Sequence, residues 1–175
     1  MTIIADSRFP LLLTVCALVL HSLTGCVADG PPPRFENHSM PVQPAGAVPA
    51  HLVFSVAQSA DSDSNGYFDS FQTVSFVFAD SHPISLVTPG TFEFRLVTRK
   101  GELLRRWTYD ATQAGAHLTQ PPPGPAYAIS PSLLDGGGTD KLDGSLAELE
   151  CTFTPDAGGR ITSGHGRTVQ VGRVR

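Results

Sequence analysis

Phe92-Glu93-Phe94-Arg95-Leu96 decides the fold. Three apolar side chains alternate with two charged ones, and successive side chains of an extended chain leave on opposite faces. One face of this stretch belongs in a core and the other in water, the mark of a strand in an antiparallel sheet. The same period recurs on either side. Leu52, Phe54 and Val56 share a face, with Val53 and Ser55 opposite, and Val74, Phe76 and Phe78 repeat the pattern. After a turn at Lys100-Gly101 come Leu103, Arg105, Trp107 and Tyr109, then Tyr127 to Ile129, Leu146 to Phe153 and Thr168 to Val174. Ala147, Leu149, Cys151 and Phe153 alternate, which favours a strand there over a short helix between Leu142 and Leu149. No segment carries a convincing helical stripe.

Seven or eight such strands, separated by Gly, Pro, Asp and Asn, predict an all-β fold. The expected architecture is an antiparallel β-sandwich, immunoglobulin-like or related, over residues 51–175. Composition agrees: 17 Gly and 15 Pro suit many turns, and 41% apolar residues suffice for a core. The aromatic set of Phe54, Phe76, Phe78, Phe92, Phe94, Trp107 and Phe153 is expected in that core, since each ring buries about 150–250 Å². Gln113 to Pro125 and Leu134 to Gly144 read as long loops. A net charge of −4 with no concentrated basic face argues against nucleic-acid binding. Arg99, Lys100, Arg105 and Arg106 read as a solvated hairpin edge.

Upstream of the strands, Arg8 precedes an apolar run from Pro10 to Leu20. The run is too short for a bilayer, which needs about 20 apolar residues, and it fits a secretory signal. It ends at Leu23-Thr24-Gly25-Cys26, which resembles the lipobox of bacterial lipoprotein precursors. The resemblance covers the first 26 residues. It implies a signal peptide over 1–25, cleavage before Cys26, diacylglycerol on the Cys26 thiol and an acyl chain on the new amino terminus. Two or three acyl chains make a lasting anchor where one does not. Asp6 and His21 are departures from the usual pattern. Val27 is not the aspartate that resembles an inner-membrane retention signal in diderm bacteria. The expected location is therefore the cell envelope, on the outer membrane where the host has one. Residues 26–50 then form a tether whose prolines, at 31–33, 41, 44 and 49, keep it extended and semi-rigid. With Cys16 lost and Cys26 acylated, Cys151 stands alone and no intramolecular disulfide can form. On the apolar side of its strand it reads as a buried thiol.

Between the first two strands lies Asp61-Ser62-Asp63-Ser64-Asn65-Gly66-Tyr67-Phe68-Asp69. This resembles the calcium loops of EF-hands, dockerins and thrombospondin type 3 repeats, which share D-x-D-x-[DN]-G-x-x-D. Calcium takes six to eight oxygens, and alternate residues of a tightly wound loop aim at one centre. The resemblance implies side-chain oxygen from Asp61, Asp63 and Asn65, a sharp turn at Gly66, the carbonyl of Tyr67, and Asp69 directly or through water. Gln72 stands where an EF-hand has glutamate, and the flanks read as strands, so an EF-hand domain is not expected. Asp80 or another loop aspartate could supply further ligands. A plain hairpin with a tight Asn65-Gly66 turn is the alternative. Yet three carboxylates in nine residues repel one another unless neutralised. The calcium, if bound, has a structural role.

The chain contains no G-x-S-x-G, H-E-x-x-H, C-x-x-C-H or P-loop pattern. His165, flanked by glycines, and the carboxylates Glu148 and Glu150 are the candidates for catalysis, read respectively as a turn residue and a solvated strand face. The expectation is a non-enzymatic, lipid-anchored domain of binding or structural role. Its rivals are a carbohydrate- or protein-binding module using the long loops and Trp107, and a hydrolase with an unrecognised site.

Overall fold

The alternation around Phe94 becomes a strand in the computed structural model, which describes residues 42–80 and 84–174. The signal, the lipobox with Cys26, and the tether before Val42 lie outside the described residues. Six strands of four residues or more carry the fold: β1 (Pro49–Ala60), β3 (Ser70–Ala79), β4 (Gly90–Val97), β5 (Leu103–Tyr109), β8 (Leu146–Pro155) and β10 (Arg167–Gln170). Five two-residue strands complete it: β2 (Tyr67–Phe68), β6 (Leu118–Thr119), β7 (Ala126–Tyr127), β9 (Ile161–Thr162) and β11 (Gly172–Arg173). One sheet runs β1-β3-β7-β6 and the other β10-β8-β4-β5, with β9 beside β10 along β8; β11 and β2 pair separately. All pairings are antiparallel. The chain is all-β, as the alternation predicts.

Aromatic rings stitch the two sheets together. Phe92 is fully buried and touches Phe153 in its own sheet, with ring centres 4.6 Å apart, and Tyr127 in the facing sheet at 4.8 Å. Phe54 meets Phe94 across the interface at 5.9 Å, and Phe71 meets Trp107 at 6.1 Å. The Tyr127 hydroxyl donates to the Thr88 carbonyl (2.9 Å), so its polar end is satisfied inside the core. Cys151 is buried, its thiol 3.9 Å from the Ser75 hydroxyl, and burial pushes its pKa up to about 12. A thiol so held is inert.

Phe76 and Phe78 correct the expectation for β3. They lie half-buried on the outer face, stacked on each other at 6.0 Å, while Phe71, Thr73, Ser75 and Val77 point inward. The cause is the register. Leu52, Phe54 and Val56 stand opposite Val77, Ser75 and Thr73, and directly opposed residues share a face. Phe54 needs room for its contact with Phe94, and the small Ser75 opposite it leaves that room. The Thr73 hydroxyl donates to the Ile129 carbonyl at 2.6 Å, which removes the cost of burying it.

A second correction concerns the stretch expected to be loop from Gln113. It opens with a short helix, α1 (Ala111–Gly115), started by Asp110. The Asp110 carboxylate accepts from the Thr112 and Gln113 backbone N–H groups, and Gln113 Oε1 accepts from Asp110 N–H. This reciprocal pair is a capping box, readable in Asp110-Ala111-Thr112-Gln113. The helix is too short to show a stripe.

Candidate metal centre

β1 and β3 form a hairpin whose last pair is Ala60 opposite Ser70, closed by Asp69 N–H donating to the Ala60 carbonyl (2.8 Å). Residues 61–69 bulge from that point as a wide loop, so Asn65-Gly66 is not a two-residue hairpin turn. Ser64 and Gly66 take φ of 60° and 89°, the left-handed region that glycine adopts without strain. The aspartates wind the loop by accepting its backbone N–H groups. Asp61 accepts from Asn65 N–H (3.1 Å) and Gly66 N–H (2.8 Å), and Asp63 accepts from Asn65 N–H (3.2 Å). Asp69 is fully buried. Its carboxylate accepts from the Ser62 backbone N–H and hydroxyl (2.9 and 2.8 Å) and from Asp63 N–H (3.3 Å). Sequence reasoning gave Ser62 no part; its hydroxyl is a main support of Asp69.

This winding brings one oxygen each from Asp61, Asp63 and Asp69 within 4.8 Å of one another. Oxygens bound to one calcium at about 2.3–2.6 Å can be at most about 5 Å apart. The three therefore fit around a single hard cation, and the all-oxygen donor set suits calcium better than a soft metal. Asn65 presents the other end of its amide: Oδ1 accepts from Tyr67 N–H (2.9 Å), and Nδ2 donates to Asp63 Oδ2 (3.0 Å). Tyr67 is fixed by the pairing of β2 with β11, and Gly66 by its carbonyl, which accepts from Val174 N–H at 2.8 Å.

Two other candidates stand elsewhere. Gln72 is exposed on β3, paired opposite Gln58. Asp80 is exposed at the far end of that strand, 4.0 Å from His51. Asp140, in the 134–144 segment that reads as a long loop, is 3% exposed and touches the 61–69 loop, its Oδ2 accepting from Asn65 Nδ2 at 2.6 Å. The two are 75 residues apart, so nothing local in the sequence marks the contact.

The same corner is closed by β11. Gly172 has φ of 71°, and a β-carbon there would run into the Gly144 carbonyl and lie 2.9 Å from that of Leu142. Gly172→Ala is expected to lower stability by about 2 kcal/mol through positive φ and backbone collision. Urea unfolding measures it, and an unchanged midpoint would remove this clamp from the account.

The remaining candidates do not assemble into a second centre. Trp107 is buried, its Nε1 donating to the Ser132 carbonyl at 2.7 Å. Glu150 pairs with Arg95 at 3.2 Å on the outer face of β8, and Glu148 is exposed beside it. His165 is exposed in the loop between β9 and β10. Arg105 leaves the basic hairpin edge to donate to the Asp135 carbonyl. An open cleft of about 300 Å³ beside β2 and β11, lined by Phe68, Leu146, Gln170 and Arg173 among others, is at the small end for a ligand site. No family model matches the sequence, and comparison with curated proteins and with solved structures finds no match.

Proposed function

We propose that this chain is the precursor of a bacterial lipoprotein whose β-sandwich is held at the cell envelope and stabilised by calcium in the 61–69 loop. Its role is binding or structural, without catalysis. The observation that carries the calcium reading is the convergence of Asp61, Asp63 and Asp69 on one point. Such a group is unfavourable alone, because like charges at this range repel, and a divalent cation reverses the sign. Asp61, Asp63 and Asp69 would hold the ion, with Asn65 and the Tyr67 carbonyl beside them. The lipid anchor rests on Leu23-Thr24-Gly25-Cys26. Among the described residues no helix is long and apolar enough to cross a membrane, and attachment through acylated Cys26 needs none. The burial of Trp107 favours this reading over a carbohydrate- or protein-binding module that would use that ring.

An ion that binds only the folded chain adds about 2.7 kcal/mol at a hundredfold excess over Kd. For a domain of this size that raises Tm by on the order of 10 °C. Calcium is expected to produce this rise in the wild type, followed by circular dichroism, and Asp61→Ala/Asp63→Ala to abolish it. A wild-type Tm indifferent to calcium would refute the site.

A further inference from the structure

A sheet face turned to water is ordinarily polar at its outward positions, and the outer face of the β1-β3 sheet is not. Phe76 and Phe78 stack there, half-buried, and the register sets Val53, 49% exposed, opposite Phe76. On the other side of β3, Phe78 pairs with Ser85, and Leu86 N–H donates to the Val77 carbonyl at 2.7 Å. Leu86 is buried, as Val77 is, so Val87 next along turns outward beside Phe76 and is 37% exposed. Val53, Phe76 and Val87 thus form an apolar row across three extended segments, with Phe78 alongside.

The chain enters the fold at one end of this row. The Gln43 side-chain amide brackets the Val87 backbone, its nitrogen donating to the carbonyl (3.2 Å) and its oxygen accepting from the N–H (2.6 Å). A turn follows, in which Ala47 N–H donates to the Pro44 carbonyl (3.1 Å). It leads to Val48, whose carbonyl accepts from Asp80 N–H (3.2 Å), and so into β1. Residues 43–48 therefore cross from one side of β3 to the other, and whatever precedes Val42 starts beside Val87. What precedes it includes Pro31-Pro32-Pro33, Phe35 and Met40-Pro41.

We propose that residues 31–41 dock on this row, with Phe35, Met40 and the prolines against Phe76, Phe78, Val53 and Val87. Proline-rich chain is pre-set in an extended form and packs on aromatic surfaces at small entropic cost. The reach suffices. The row spans two strand spacings, about 10 Å, and the chain from Phe35 to Val42 covers about 20 Å when extended. A covalently joined segment acts at an effective concentration of about millimolar, which a second copy of the chain does not match. An anionic lipid surface is a poorer fit, because β1, β3 and residues 84–88 carry no Lys or Arg. The docking does not depend on the lipid anchor. With Cys26 acylated as proposed, it leaves residues 26–30 as free spacer, about 15 Å long, and holds the domain close to the membrane.

Photo-crosslinking in the full chain tests this. A p-benzoyl-phenylalanine probe replaces Val53, whose exposure leaves room for it, and is irradiated in intact cells making the protein. Mass spectrometry then locates the adduct, which is expected within residues 31–41 of the same chain. A lipid adduct, a crosslinked dimer, an adduct to another protein, or no adduct at all overturns the proposal. Hydroxyl-radical oxidation of the full chain needs no probe in the fold. Phe76 and Phe78 should be oxidised faster in Phe35→Ala/Met40→Ala than in the wild type, with the core ring of Phe94 unchanged. Equal oxidation of Phe76 and Phe78 in the two proteins also overturns it.

Discussion

Phe92→Ala should cost the domain about 3–5 kcal/mol, the range for a buried phenylalanine truncated in a core that cannot fully collapse. Phe92 is where the two sheets are joined: fully buried, against Phe153 beside it, Phe94 along the strand and Tyr127 opposite. Since small domains are stable by about 5–15 kcal/mol, a loss of this size takes a large share of the total. Urea unfolding should show a lower midpoint with the slope retained, the sign of lost stability without a changed unfolded state. Phe76→Ala is the control. Its half-buried ring on the outer face of β3 stacks only on Phe78, and its removal should cost about 1 kcal/mol. Equal losses for the two rings would mean that the register of β3 is wrong, because a slip of one residue exchanges its faces.

Cys26→Ser should abolish incorporation of labelled fatty acid and leave an uncleaved precursor. The reason is chemical. The proposed modification joins a diacylglycerol group to the sulfur in place of its proton, and cleavage before residue 26 follows it, so a hydroxyl in place of the thiol stops both steps. The effect is all or none, read by labelling and by the mass of the product. Undiminished labelling in the variant would end the lipoprotein reading, whatever the calcium loop does. The alternative acceptors, Cys16 and Cys151, are poorly placed: Val15 is too large before a cleavage site, and Cys151 is buried in the core.

The sandwich was legible because alternation is a local property. Glu93 and Arg95 between Phe92, Phe94 and Leu96 announce β4 without knowledge of its neighbours, and β4 does run from Gly90 to Val97. Which face of β3 turns inward was not local. Hydrophobicity favours Phe76 and Phe78, whereas the register with β1 buries Thr73 and Ser75, whose hydroxyls meet Ile129 and Cys151, 56 and 76 residues away. The capping box at Asp110 was present in the sequence, but a helix of five residues offers no periodicity to support it. The loop at 61–69 could be read for its aspartates, since their spacing is a pattern. Asp140 could not, because its place depends on the path of the chain from β7 to β8. Ser62 lies inside the motif, yet its bond to Asp69 depends on how the loop is wound.

The meeting of β11 with β2 sets the order in which this corner can be assembled. Gly172 and Arg173 pair with Phe68 and Tyr67 more than 100 residues upstream, and a closure of that length is entropically slow to form. A chain made from its amino end presents residues 61–69 before β11 exists to pair with β2. Closing so long a loop costs more chain entropy than closing the β1–β3 or β4–β5 hairpin, so the corner is expected to shut after those hairpins form. A chain interrupted before residue 172 would keep most of its strands and still lack the clasp.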